Sequence, residues 1–463
     1  MSKSISTPLQ PAIIVIFGIT GDLAQRYLLP ALYHLFDEKL LHEKTQILGL
    51  TRQDLTASQL LDRVELCINE TDKVCRPETL KIMQAKTKLV QFDPAKGDDY
   101  AALRKQLDDI EIAQGVCMNR LFYLSIPPSV FPTVVSHMGK HGLNGSCQHG
   151  SAESRLLVEK PFGSDLTSAQ KLVEATSKVF QEEQVFRIDH YLAKETAQNI
   201  LTFRRYNPIF GSIWNNQHIE SIDILASEKI DIEGRVNFYE GLGALRDFVQ
   251  SHLIQLAAIC TMDMPESIDS QNIHAQKQAL LSAIKPANPA TAKRGQYQTY
   301  TQEVENPDST TETYAQVTLY IDDERWRDVP ITVTTGKAMS ERKTEVTLTF
   351  TDRAELNEAI NSLTFRIQPN EGIHLQLRVK KPSLEEDLQE AAMDFSYKNT
   401  FGNTDHPTAY ERVLVDAVKG DRTLFATSTE VLESWRILQP VVEAWHNNNT
   451  GLVSYPKGIA RLE

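Results

Sequence analysis

Ala12-Ile-Ile-Val-Ile-Phe-Gly18-Ile-Thr-Gly21-Asp-Leu-Ala24 decides how this chain begins. The apolar run Ala12–Phe17 is rich in β-branched residues and reads as a strand buried on both faces. It is short and ends in a glycine turn, and a helix is expected from about Asp22 to Leu41. Small residues at positions 18, 21 and 24 permit a tight turn, close approach of backbone to a pyrophosphate, and close helix packing. A GxxG is weak evidence alone. Its place between the first strand and the first helix is what gives it meaning.

Working outward, 46–50, 120–126 and 155–159 read as further strands, with helical patterns between them. That alternation predicts a doubly wound parallel sheet, a Rossmann-like dinucleotide-binding domain over residues 1–185. The stretch 141–154 is rich in Gly, Ser and His and reads as a surface loop. Past residue 185 the pattern changes. Helices are expected near 191–206 and 237–262, then strands near 313–322, 328–335, 343–350, 362–368 and 372–380, then helices near 408–419 and 427–446. Closely spaced, often alternating strands indicate a mostly antiparallel sheet backed by helices over 186–463. The fold class is therefore α/β followed by a larger α+β domain.

The chain has 463 residues, enough for two or three domains with full cores. Hydrophobic residues make up 41% and charged residues 24%, a globular balance. A net charge of -13 argues against nucleic acid or an anionic membrane as partner, so any phosphate site must be a local cluster of cations. No apolar run is long enough to span a bilayer, and Met1 to Pro11 lacks the apolar core of a secretion signal. Cys67, Cys75, Cys117, Cys147 and Cys260 are scattered, which fits reduced thiols and a cytoplasmic location. His137, His141, Cys147 and His149 are irregularly spaced and read as a solvated loop, with no metal expected.

Five stretches are candidates for chemistry. After the second strand, Gly49-Leu-Thr51-Arg52 lacks the acid that binds a ribose 2′-hydroxyl in NAD-specific folds, and Asp54 comes late. A guanidinium there suits a 2′-phosphate, which makes Arg52 a candidate, with Arg26 as another. Glu159-Lys160-Pro-Phe-Gly163 follows a strand, which puts Lys160 at the ligand-binding carboxyl edge of the sheet. Arg187-Ile-Asp189-His190-Tyr191-Leu-Ala193-Lys194-Glu195 sets an acid, an imidazole, a phenol and an ammonium within a short run. Tyr191, Lys194 and Gln198 are expected close to one helical face, near a helix start suited to phosphate. Arg246-Asp247-Phe-Val-Gln-Ser-His252-Leu-Ile-Gln255 shares a polar face inside an apolar helix. Gly336-Lys337-Ala-Met-Ser-Glu341-Arg342-Lys343 follows a strand and by itself reads as a solvated turn.

The run Arg187–Glu195 resembles the active-site signature of glucose-6-phosphate dehydrogenases, with Ala193 where that family usually has Gly. Asn119–Pro128, Arg204–Trp214, Asp308–Thr313, Glu324–Trp326 and Ala409–Arg412 follow in the family's order, so the resemblance spans about residues 12–440. It implies oxidation of D-glucose 6-phosphate at C1 to the 1,5-lactone, with hydride passing to NADP. It implies His252 as general base and Asp189 as the carboxylate that supports it. It implies Lys160, His190, Tyr191, Lys194, Glu228, Asp247, Lys337 and Arg342 as substrate contacts. It implies Gly18, Thr20, Gly21, Asp22, Leu23, Arg52 and Lys160 as cofactor contacts, and a homodimer or homotetramer. Two alternatives stand beside it: another sugar dehydrogenase with a Glu-Lys-Pro turn, and a non-catalytic sugar-phosphate-binding relative.

Overall fold

A computed structural model describes residues 9–69, 75–145, 152–351, 361–384, 387–402, 407–447 and 450–462. The chain divides into two units. The first comprises residues 1–163, 167–193 and 407–428, and the second residues 164–166, 194–406 and 429–463. A single boundary between residues 185 and 186 does not describe them. The strand Val185–Ile188 pairs into the first unit's sheet, and a late segment returns to that unit.

The first unit is built on β1 (Ala12–Phe17), β2 (Gln46–Thr51), β3 (Thr87–Gln91), β4 (Asn119–Leu124), β5 (Ser154–Val158) and β6 (Val185–Ile188). They lie parallel in the order β6-β5-β4-β1-β2-β3, and β15 (Phe425–Ala426) adds antiparallel to β6. This is the doubly wound order, whose switch point falls between β1 and β4. Every residue of β1 and β4 is buried, as strands covered on both faces should be. The helix after β1 opens with a wide turn, Ala24–Leu28, and continues as Leu29–Asp37, ending earlier than expected.

The second unit holds β7 (Ile219–Ser227), β8 (Lys293–Tyr297), β9 (Tyr314–Leu319), β10 (Ile331–Gly336), β11 (Lys343–Phe350), β12 (Ser362–Gln368), β13 (Gly372–Lys380), β14 (Leu388–Ser396) and β16 (Leu452–Tyr455). Their order is β14-β13-β12-β11-β7-β10-β9-β8-β16. Most pairs are antiparallel; β10 runs parallel to β7, and β16 parallel to β8. Burial alternates along β11 and β12, so one face packs and the other does not. The buried face meets helices: Phe203 of Glu195–Tyr206 packs edge-on against Phe365 of β12 at 5.2 Å, and buried Arg204 donates to the carbonyls of Ile259 and Met262.

Some local expectations are corrected. The helix expected over 237–262 is broken: Val236–Tyr239 is one turn, and Leu245–Thr261 follows. Gly241 and Gly243, at φ +80° and +73°, leave the right-handed region between them. His137 lies on the helix Phe131–Lys140 with its ring stacked 4.9 Å from Tyr100, rather than in a solvated loop. Cys147 and His149 lie outside the described residues, as do residues 1–8 and the side chain of Cys67. Cys117 is disulfide-bonded, against the expectation of reduced thiols, while Cys75 and Cys260 are free. Sequence spacing carries no information on which thiols the fold brings within bonding reach. Among the described residues no helix is long and apolar enough to cross a membrane, and no group of three His, Cys, Asp or Glu could hold a metal.

Candidate active site

The glycine turn after β1 is shaped for a ligand. Gly18 has φ +74°, and a Cβ there would lie 2.4 Å from the Ser125 carbonyl oxygen at the end of β4. Only glycine therefore fits at the switch point. Gly21 N–H donates back to Gly18 O at 2.9 Å, closing the turn, and the Thr20 and Thr51 hydroxyls meet at 3.3 Å. A cleft of about 560 Å³ opens here, lined by Gly18, Thr20, Gly21, Thr51, Arg52 and Gln53 and by the segments after β3 and β4. A glycine turn between the first strand and the first helix, at the switch point and opening on this cleft, is the arrangement that holds a dinucleotide in doubly wound folds.

Asp22, Leu23 and Lys160 are not among the residues lining this cleft. Arg26 pairs with Asp22 at 2.7 Å at the surface and does not line the cleft. Sequence reasoning missed Asp93, which lines the cleft and whose Oδ1 accepts the Ala95 N–H at 3.1 Å. It follows β3, a strand not foreseen.

Lys160 lies just past β5, half-buried, and its bond to Pro161 is cis. Beside it, Glu159 accepts the Tyr123 hydroxyl and stands 3.7 Å from His190 Nε2. Burial, then the charge of Glu159, pushes the Tyr123 phenol well above its ordinary value. The His190 ring packs 4.3 Å from that of Tyr410, which is itself stacked on Tyr27. Tyr410 belongs to the Ala409–Arg412 motif, so the signal was in the sequence, though its role was not.

The helical face expected for Tyr191, Lys194 and Gln198 is not formed. Asp189, 3% exposed, accepts Tyr191 N–H at 2.8 Å and Leu192 N–H at 3.4 Å, which holds residues 190–193 as a turn. The helix starts only at Glu195, with Lys194 extended at its cap. Short local bonds from an Asp side chain compete with helix, and here they win. Ala193 has no positive φ and is 2% exposed, with its methyl inside the first unit's core. Alanine is accommodated there without backbone strain.

In the second unit, Lys194 Nζ donates to Gln368 Oε1 at the end of β12, and Gln368 Nε2 donates to Thr344 Oγ1 at 3.2 Å. Glu228 and Lys337 form an ion pair, and register explains it. Ser227 at the end of β7 pairs with Gly336 at the end of β10, so the next residues emerge side by side. Lys337 Nζ also sits 5.2 Å over the Tyr239 ring. Arg342 is exposed.

His252 is 3% exposed and lies in Leu245–Leu253, a helix with i→i+5 hydrogen bonding that brings positions such as 247 and 252 close along one side. Phe248 packs edge-on to its ring at 5.1 Å, Gln255 is buried, and Asp247 is half-buried.

Known proteins match nearly the whole chain. The glucose-6-phosphate dehydrogenase NAD binding domain matches residues 15–199, and the glucose-6-phosphate dehydrogenase C-terminal domain matches residues 201–461. Glucose-6-phosphate 1-dehydrogenase 2 of Mycobacterium tuberculosis strain H37Rv is 38% identical over 465 residues, covering 95% of this chain and 89% of that protein. Glucose-6-phosphate 1-dehydrogenase of Dictyostelium discoideum is 36% identical, covering 93% of this chain and 88% of that protein. A solved glucose-6-phosphate dehydrogenase in complex with its substrate glucose-6-phosphate superposes with a TM-score of 0.90 at 30% identity, covering 99% of this chain and 97% of that one. The chain belongs to the glucose-6-phosphate dehydrogenase family.

Proposed function

We propose that this chain oxidises D-glucose 6-phosphate at C1 to 6-phospho-D-glucono-1,5-lactone, with NADP as the hydride acceptor. The observation that carries the reading is family membership across both halves of the chain. In the reaction C1 loses a hydride and O1 loses a proton, and the C1–O1 bond becomes a carbonyl. The nicotinamide, when bound, supplies the acceptor for the hydride. Everything else is asked of the protein.

His252 takes the O1 proton, a role an imidazole suits near neutral pH. Asp189 supplies the carboxylate that favours the imidazolium. His190, Tyr191 and Lys194 hold the sugar phosphate, whose remote binding energy orients C1. Glu228 and Asp247 hold sugar hydroxyls, and Lys337 and Arg342 complete the substrate contacts. Gly18, Thr20, Gly21, Asp22 and Leu23 hold the pyrophosphate, Arg52 the 2′-phosphate, and Lys160 contacts both ligands. The reading extends to a cytoplasmic homodimer or homotetramer. Leu388 and Met393 are exposed on β14, an edge strand of the larger sheet, which supports self-association.

The test is formation of reduced nicotinamide, followed by its near-ultraviolet absorbance, with glucose 6-phosphate against glucose and NADP against NAD. His252→Asn should lower kcat roughly 10²–10⁴-fold with substrate KM changed much less. A variant with near wild-type kcat removes His252 from the mechanism. Light scattering on the same preparation reads the oligomer, and a monomer at working concentration counts against that part.

A further inference from the structure

The run Asp308-Ser-Thr-Thr-Glu312-Thr313 has no role in the mechanism above. In the second unit it braces two places that carry candidate reacting groups. Thr313 O accepts the Lys337 N–H at 2.9 Å. Tyr455 donates its hydroxyl to Lys337 O at 2.8 Å, so the Thr313 hydroxyl, 2.8 Å away, donates to Tyr455. On the other side, Thr311 Oγ1 accepts Gly241 N–H at 3.0 Å, and Glu312 O accepts Ala244 N–H at 2.9 Å. Glu312 Oε1 then accepts the N–H of Leu245 at 3.0 Å. Leu245 is the first residue of the helix that carries Asp247 and His252.

The fit is close. Glu312 is 5% exposed. A Cβ at Gly243 would lie 2.3 Å from its Oε1, so the carboxylate fills the space that only glycine leaves. Gly243 also needs its φ of +73°. Burial pushes the Glu312 carboxyl up, while the Leu245 N–H and the charges of Arg246 and Arg294 pull it back.

We propose that Glu312 is a positioning residue for the reaction: seated on Gly243 and bonded to Leu245 N–H, it fixes the start of the helix and so the placement of Asp247 and His252. A small tilt at a helix start is carried along the helix to its side chains. Misplacement of a reacting group by about 1 Å can cost about a hundredfold in rate. This rests on His252 acting as the base.

The experiment compares Glu312→Ala, Glu312→Gln and Gly243→Ala with the wild type. It reads kcat, both KM values, and the primary isotope effect with glucose 6-phosphate deuterated at C1. Glu312→Ala should lower kcat by roughly ten- to a hundredfold, leave cofactor KM within about twofold, and raise the isotope effect as the chemical step becomes limiting. Glu312→Gln, which keeps the acceptor oxygen, should stay within about threefold of wild type. Gly243→Ala should act like Glu312→Ala, and add little to it in the double variant.

A merely structural role lowers only the active fraction, which leaves the isotope effect and both KM values untouched. That result overturns the proposal. So do full additivity of the two alanine substitutions and a Gln variant as impaired as the Ala variant. If Glu312→Ala does not fold, Gly243→Ala reads the same displacement from the other side. His252→Asn, run alongside, separates the readings. If it is fully active, both fall; if it is inactive while Glu312→Ala behaves normally, the positioning role alone falls.

Discussion

On the proposed reading, cofactor choice turns on Arg52. It is exposed at the end of β2 and lines the cleft beside the glycine turn, whereas Asp54 does not line it. The acid in the cleft is Asp93, with one oxygen already given to Ala95 N–H. Arg52→Ala should therefore weaken NADP about ten- to a hundredfold, the worth of about 1.5–3 kcal/mol in charged hydrogen bonds. NAD should change much less. Equal losses for both, measured as kcat/KM, mean that Arg52 does not read the 2′-phosphate. Residues such as Gly18 and Arg52 were legible because their signals are local, a turn and a strand end. Gln368 was not. Its bond to Lys194 joins residues far apart in the chain, and no spacing in the sequence announces it.

Among the elements, two helices, Ser270–Ala283 and Ser428–Asn447, show how burial of charge can pin a packing. Glu430 at the start of Ser428–Asn447 receives Lys277 at 2.6 Å and His274 at 2.8 Å from Ser270–Ala283, and neither Lys277 nor Glu430 is exposed at all. Burial alone would raise the Glu430 carboxyl, but Lys277 and His274 outweigh it and hold the group below its usual range. Glu430→Ala should cost roughly 3–5 kcal/mol, because it leaves the buried Lys277 without its counter-charge. The sign with pH follows from the lowered value. The contribution is present above the ordinary carboxylate range and is lost as pH falls through the folded-state value. The gap in melting temperature between wild type and Glu430→Ala should thus narrow in acid; a gap independent of pH would sink the idea. Only one of these two helices was legible. Ser428–Asn447 announced itself by period, whereas Ser270–Ala283 has a mixed face and went unread. Strand β7 was also missed, although the pair Glu228 and Lys337 depends on its register with β10.

Across the molecule, the two fold classes were readable because alternating helices and strands differ in grammar from a run of strands. The path of the chain was less so. Residues 407–428 leave the second unit's stretch of sequence and complete the first. Val413, Leu414, Val418 and Phe425 join the same core as Leu28, Leu32 and Ile14. Arg155 donates to the carbonyls of Ala417 and Val418 at 2.6 and 2.8 Å, and Ser428 N–H reaches Glu182 at 3.0 Å. None of this shows in composition, because a helix that closes a distant core looks like any other amphipathic helix. It bears on synthesis. Most domains assemble in order as they leave the ribosome, but this one waits for a piece made after more than two hundred intervening residues. A fragment ending at residue 193 should therefore lack a cooperative unfolding transition, and joining residues 407–428 to it through a flexible linker should restore one. A fragment that melts cooperatively without that addition would refute this. Until the late segment emerges, the nascent first unit should expose the apolar side of Leu29–Asp37 and the edge of β6, surfaces of the kind that chaperones cover.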